Sequence, residues 1–558
     1  MRKIIFSPLF ALAPFILVLC GCSKNFLDTK IDTYTTPEKI VTDRATLFRF
    51  ANAFYADLPN GFKALDGNLF AAASDDAQQT AKYATDALVF NQGGLNPNSV
   101  QMEAGTGFYK KMYDGIRAAN FFLDYSQGAD ALLLLNRDTL DDITNYHRDK
   151  RFIGWYRGEA HVARAFYYAE LIQRYGGVPL ITGTLQNTDP RDVPRASYDD
   201  MVAFIVSEID QYTDSLQVDW ETSDYQDQAG RFTQGMALAL KARVLLQAAS
   251  PLHNAGSDAA KWEKAAAAAY AVIRLNRYSL DGNYGAYFTG NAALGSPETI
   301  FAIRQPASND LEKSNYPIAT PGGSSGITPT QNLVSAYEYI GPADPTDPYA
   351  HRDPRLQATV VVNGSTWNGR TIDESPGGSD DMAAANTSRT GYYLKKFLTA
   401  NLNLVQGGTA AHTWVAFRYA EVLLNYAEAM NEAYGPDDAH GYGLSARQAL
   451  QQVRQRASPL LSPVTATSKD AFREAVHHER RVELAFEGFR YWDLLRWKQA
   501  ETVLNKPVLG VSVTKSGSYF YQEVPVADRV FPAAMYYFPF AQSEIVNTHG
   551  VVEQNEGY

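Results

Sequence analysis

Glu479-Arg480-Arg481-Val482-Glu483-Leu484-Ala485-Phe486-Glu487-Gly488-Phe489-Arg490-Tyr491-Trp492-Asp493-Leu494-Leu495-Arg496-Trp497 alternates opposite charges with large apolar side chains. Glu479, Glu483 and Glu487 are four residues apart, the spacing of one helix face. A pair of carboxylates is what a glycosidase needs. Here, however, Arg480, Arg481, Arg490 and Arg496 are interleaved, which suits ion pairs at helical spacing. The segment therefore reads as a charge network tying helices together, with Trp492 in the core. The helical pattern extends from Lys469 to Ala500.

Moving toward the N-terminus, more amphipathic segments appear. Leu444 to Ala457 is the partner of Val415 to Ala433. The latter places Val415, Tyr419, Val422, Leu423, Tyr426 and Met430 on one face. Arg418, Glu421, Asn425, Glu428 and Glu432 lie on the other. Thr233 to Ala249 is Ala-, Leu- and Val-rich almost all round and is expected to be buried on several sides. Pro251 ends it, and Trp262 to Leu275 pairs with it across a short loop. Tyr198 to Leu216 follows Ser197 as a cap. Gly158 to Tyr175 stops at Gly176-Gly177, with Pro179 just beyond. Lys110 to Tyr125 and Arg44 to Leu58 complete the set. Alanine at many contact positions and short connections predict helix hairpins of the tetratricopeptide kind, stacked into a scaffold.

Residues 281–410 differ. They are rich in Gly, Pro, Asn, Ser, Thr and Asp, with strand-like pieces at Thr299–Arg304, Gln357–Val362 and Tyr392–Lys396. Pro321-Gly322-Gly323 and Pro376-Gly377-Gly378 are loop signals. The expected fold is thus mostly α: a tetratricopeptide-like helix-hairpin scaffold with a large irregular loop-rich insertion carrying short strands. Long loops on a rigid scaffold commonly carry function.

The 558 residues are 45% hydrophobic and include 28 Phe, 34 Tyr and 7 Trp, ample for a large core. The net charge of −11 lacks the basic footprint of a general nucleic-acid binder. Both cysteines, Cys20 and Cys22, fall in the first 22 residues. The rest of the chain can therefore hold no disulfide, cysteine-type zinc site or cysteine nucleophile. Arg2 and Lys3 precede an apolar run from Ile4 to Leu19 that reads as an export signal. The run ends Leu19-Cys20-Gly21-Cys22, which resembles a bacterial lipobox. Residues 1–21 are read as a lipoprotein signal peptide, Cys22 as the lipid anchor and 22–40 as a lipidated tether. Acyl chains contribute roughly 0.8 kcal/mol per buried methylene, so two or three would hold the protein at a membrane.

Catalytic signatures are missing. His477-His478-Glu479 lacks the two-His zinc spacing, and the nine His form no metal cluster. There is no phosphate-binding loop. No enzyme, metal or cofactor is expected. A saccharide, by contrast, asks for exposed aromatic rings beside amide and carboxylate side chains. Within the insertion, Tyr287, Tyr316 and Trp367 lie among Asn and Gly, and Trp414 stands at its end. Tyr83 and Phe90 lie in a polar run before the Arg117 helix. These six are the ligand-binding candidates, with packing beneath loops as the rival role.

The order of motifs resembles the SusD/RagB family of outer-membrane nutrient-binding lipoproteins over nearly the whole chain. The lipobox runs into Cys22-Ser23-Lys24-Asn25-Phe26-Leu27-Asp28. It is followed by Ile116-Arg117-Ala118-Ala119-Asn120, by Arg164-Ala165-Phe166-Tyr167-Tyr168, and by Tyr175-Gly176-Gly177-Val178-Pro179-Leu180. Pro329-Thr330-Gln331-Asn332 and Arg352-Asp353-Pro354-Arg355-Leu356 lie in the insertion. The Glu479–Trp497 segment and Gln554-Asn555-Glu556-Gly557-Tyr558 complete the pattern. The resemblance makes 41–558 one SusD-like domain. It implies surface exposure on the outer membrane and capture of an oligosaccharide or polysaccharide. Delivery would be to a SusC-like TonB-dependent transporter. It also implies ligand contacts from loops before the Arg117 helix and from the insertion. The competing readings are capture of a non-glycan nutrient such as peptide, a lipid-anchored glycoside hydrolase, and a scaffold that only stabilises its transporter.

Overall fold

The computed structural model describes residues 44–80, 85–98, 107–134, 137–138, 140–185, 193–221 and 225–558. Cys22, the tether and Tyr83 lie outside them. The main helices are α1 (Arg44–Ala51), α2 (Phe108–Tyr125), α3 (Ile143–Tyr175), α4 (Tyr198–Tyr212), α5 (Gln234–Ala249), α6 (Ala259–Arg274), α7 (Tyr419–Tyr434), α8 (Ala446–Ala457), α9 (Lys469–Glu483) and α10 (Arg490–Arg496). The strands are β1 (Ala77–Gln79), β2 (Thr299–Ser308), β3 (Ile327–Pro329), β4 (Val360–Val362), β5 (Thr366–Trp367), β6 (Arg370–Thr371), β7 (Tyr392–Leu394), β8 (Ala410–Arg418), β9 (Val508–Ser516) and β10 (Ser518–Ala527).

Local chemistry sets the helix starts. Ser197, Thr233 and Ser468 each accept a backbone N–H of the first turn, and Ser445 forms a reciprocal capping box with Gln448. Gly176, at a φ of 71°, ends α3. Sequential helices pack as antiparallel neighbours: α2 on α3, α3 on α4, α4 on α5, α5 on α6. α7 then packs on α6, although the insertion separates them in sequence, and α8 and α9 cover α7. Alanines make this close approach possible: Ala265, Ala266 and Ala269 of α6 and Ala427 and Ala429 of α7 are buried in one cluster. This is the expected helix-hairpin scaffold.

Several boundaries differ from the sequence reading: the first helix stops at Ala51 rather than Leu58, and Gln357–Thr359 closes a helix before the strand starts at Val360. α3 begins at Ile143 rather than Gly158 and runs for 33 residues. Val415 belongs to β8, which delivers the chain to α7, rather than to the helix. The Lys469–Ala500 stretch breaks after Glu483, where Phe486 and Gly488 take φ values of 66° and 85°. That turn aims Glu487 at a different set of partners from the α9 face.

The insertion is built from two-stranded antiparallel pieces: β2 with β8, β1 with β3, β4 with β7, and β5 with β6; the later hairpin β9–β10 stands by itself. Thr299, the first residue of β2, pairs with Arg418, the last of β8. A buried ion-pair network joins the insertion to α9. Arg355 bridges Asp353, Glu479 and Glu483. Arg418 bridges Glu298, Glu483 and Glu487. Lys396 meets Glu487, and Arg454 meets Glu479. The acidic triplet of the opening segment thus holds the structure together.

Candidate functional site

Where β8, α3, α5 and the turn after α9 meet, they leave a cleft of about 360 Å³. Each wall follows from helical or strand periodicity. α3 contributes Phe166, Glu170, Gln173 and Arg174, which recur at the spacing of one helix face. α5 contributes Arg243, Leu246 and Gln247 in the same way. β8 contributes Trp414, and the break after α9 turns Gly488 and Phe489 into the opening.

Trp414 is half-buried and fixed from several sides. Phe62 meets it edge-on with centroids 5.1 Å apart, and Phe397 lies at 6.1 Å. Gly61 touches the ring so closely that a Cβ there would sit 2.1 Å from Cζ2. The Asn60 side chain accepts the Phe62 N–H at 3.0 Å and so holds the Gly61 turn in place. An indole locked in this way can offer a surface without losing rotamer entropy on binding.

Most charges around the cleft are already matched. Arg174 donates to the Glu170 carboxylate at 2.9 Å and lies 3.7 Å from the Phe108 ring centroid. Arg243 clamps Glu421 through Nε and an NH₂ group at 2.7 and 2.6 Å. Arg480 pairs with Asp493 at 2.8 Å. Glu487 is held by Lys396 and Arg418. The three lining carboxylates, Glu170, Glu487 and Asp493, are therefore all engaged in ion pairs. Gln173, Gln247 and Lys111 also line the cleft; among the described residues the two side-chain amides make no hydrogen bond, and Lys111 acts on the Asp57 carboxylate only through its charge. A fixed ring beside uncommitted amides suits a neutral, hydroxyl-rich ligand with an apolar face.

Of the candidates among the described residues, the structure brings only Trp414 into this cleft. Phe90 lies in the core on a helix over Asp86–Asn91, packed against Phe70, Tyr491 and Phe538. Tyr287 is buried, and its hydroxyl bonds to Thr299 Oγ1 at 2.7 Å. Tyr316 is fully buried, donates to the Thr399 carbonyl and meets Trp367 edge-on at 5.8 Å. These corrections share one cause. Short helical turns and small sheets cover rings that a Gly- and Asn-rich sequence would leave on a loop surface. Trp367 is also buried but borders a separate cavity. Gln173, Gln247, Gly61 and Lys111 escaped the sequence reading. Gln247 did leave a signal, as one of the few polar side chains, with Gln234, Lys241 and Arg243, on the Ala- and Leu-rich α5.

Residues 297–558 match the SusD family, and residues 25–246 match a family described as starch-binding and associating with the outer membrane. SusD-like protein P38 of Formosa agariphila is 28% identical over 371 residues, 64% of this chain and 69% of that protein. SusD-like protein P25 of the same organism is 22% identical over 509 residues, 87% of this chain and 88% of its own. A SusD-like protein from Bacteroides fragilis superposes with a TM-score of 0.77 at 24% identity, covering 94% of this chain and 99% of that one. A SusD-like carbohydrate binding protein of that organism gives 0.73 at 23% identity, with 92% and 99% covered. At these identities the structural likeness establishes the shared fold.

Proposed function

The chain belongs to the SusD/RagB family, and on that premise we propose that it is a cell-surface lipoprotein that captures an oligosaccharide in the Trp414 cleft and delivers it to a SusC-like TonB-dependent outer-membrane transporter. Carbohydrate binding and outer-membrane association come from the family. Lipidation at Cys22 and hand-over to a transporter are the finer parts of the proposal. The observation that carries the site is that the rigid, half-buried Trp414 ring lines one cleft with the Gln173 and Gln247 amides, which make no hydrogen bond among the described residues. Sugar hydroxyls can pair with those amides while a ring face lies on the indole.

The reading is of capture without chemistry. A glycosidase needs one carboxylate free to deliver a proton, and the carboxylates lining this cleft are tied to arginine or lysine. No helix among the described residues is long and apolar enough to cross a membrane; the attachment proposed is the lipid anchor at Cys22.

The test is calorimetry of the full chain against oligosaccharides chosen from a glycan array. Binding at micromolar strength or weaker is expected, about −8 kcal/mol or less favourable. Trp414→Ala should weaken it about tenfold, which corresponds to roughly 1.4 kcal/mol. Unchanged affinity in Trp414→Ala would move the site out of this cleft. Hydrolysis products in the mixture would overturn the capture reading in favour of an enzyme.

A further inference from the structure

A second cavity, of about 500 Å³, opens in the insertion between β4, β5 and the β9–β10 hairpin. It shares no lining residue with the Trp414 cleft. Tyr519 and Tyr521 stand two apart on β10, so both rings leave the strand on one side. Their centroids are 6.4 Å apart, and both rings are half-buried. Asn363 Nδ2 donates to the Tyr521 hydroxyl at 3.2 Å and orients that ring. The pair forms a ready-made aromatic platform.

One polar group on the cavity wall is unmatched. Lys395 lines this cavity and is half-buried, and among the described residues no hydrogen bond or ion pair engages its ammonium. Burial lowers its pKa, and no carboxylate offsets that effect. Asp347, also on the wall, is exposed and solvated, where its charge is screened. A ligand that satisfies this surface must present an apolar face to the tyrosines and a negatively charged acceptor to Lys395.

We propose that this cavity is a second saccharide subsite, selective for an acidic sugar residue whose anion is a carboxylate or a sulfate ester. Tyr519 and Tyr521 carry the ring face, and Lys395 receives the anion through a charge-assisted hydrogen bond. The assignment rests on the glycan-capture reading and names a ligand class for it. It also gives the protein two contacts on one chain, so an oligosaccharide long enough to reach both gains avidity.

The experiment uses the full chain and two matched pairs of hexasaccharides. One pair is oligogalacturonate with its carboxyl-reduced counterpart. The other is sulfated carrageenan oligosaccharide with its desulfated counterpart. At least one acidic member is expected to bind about tenfold or more tightly than its neutral partner, and which pair shows this identifies carboxylate or sulfate as the anion. The preference should fall away in Lys395→Met and survive in Lys395→Arg, which keeps the charge. Melting temperatures of all variants control for folding. Equal binding of acidic and neutral members, or a preference that persists in a folded Lys395→Met, overturns the subsite while leaving glycan capture intact. If no saccharide of either pair or of the wider array binds, the capture reading falls with it.

Discussion

Arg418→Met removes the hub of the buried network that joins the insertion to α9. The Arg418 side chain is 2% exposed. Its guanidinium donates to Glu298 at 2.7 Å, to a Glu483 carboxylate oxygen at 2.7 Å, to the Glu483 carbonyl at 3.0 Å, and to both Glu487 oxygens at 2.6 and 2.8 Å. Removing one partner of a buried ion pair typically destabilises by about 3–5 kcal/mol, because the charge left behind keeps its desolvation penalty. Three carboxylates lose a partner here, but each keeps another cation. Arg456 remains on Glu298 and Glu483, Arg355 on Glu483, and Lys396 on Glu487. The expected loss is therefore near the lower end, about 3 kcal/mol. Urea unfolding followed by circular dichroism reads it as a lower midpoint with an unchanged slope. Adding Glu487→Gln should recover part of the loss, with a coupling of about 0.5–3 kcal/mol in the double-mutant cycle. A loss under about 1 kcal/mol, or no recovery in the double variant, would refute the claim that this network holds the insertion in place.

Acid should undo the same network. Burial alone would raise the Glu483 carboxyl, but Arg456, Arg418 and Arg355 outweigh it and hold Glu483 well below the usual carboxylate range; Arg496 and His477 do the same for Glu428. Because these folded-state values are depressed, their stabilisation is present above the unfolded pKa of about 4.3 and is lost as pH falls below it, so melting temperature measured from pH 7 to pH 3 should drop mainly in the acid half; a flat profile would contradict the assignment. Gly61→Ala places a methyl where the Trp414 ring now lies, at a 2.1 Å approach, and should weaken glycan binding several-fold in calorimetry while preserving the fold by circular dichroism. Cys22→Ala should abolish fatty-acid labelling and release the protein from the membrane fraction, whereas Cys20→Ala should leave both intact; label persisting on Cys22→Ala would move the anchor.

Helical repeats, their order and several caps are legible in the sequence because they are local. A serine or threonine before an apolar-periodic run caps a helix wherever that helix later packs, as Ser197, Thr233 and Ser468 do. Ala-rich faces announce close helix contacts, and α5, α6 and α7 make them. Interleaved charge in Glu479–Arg496 likewise announces ion pairing, although not which distant residues complete it: Arg355 lies 124 positions away from Glu479.

Burial was decided only by tertiary contacts. Tyr287, Tyr316, Trp367 and Trp414 all sit in or at the edge of one Gly- and Asn-rich insertion, and nothing local distinguishes them. Tyr316 has no exposed surface, because Trp367 and the chain near Thr399 close over it. Trp414 keeps an open side, because β8 carries it to the junction of α3 and α5, where Gly61 and Gly488 leave room. Lys395 follows the same rule. In sequence it is one half of a Lys-Lys pair, yet Lys396 turns inward to Glu487 while Lys395 borders a cavity unpaired. Periodicity and capping depend on neighbours a turn away, so the amino-acid sequence alone determines the scaffold. Exposure and unpaired charge depend on what the chain brings from hundreds of residues away, so the ligand surfaces exist only in the folded structure.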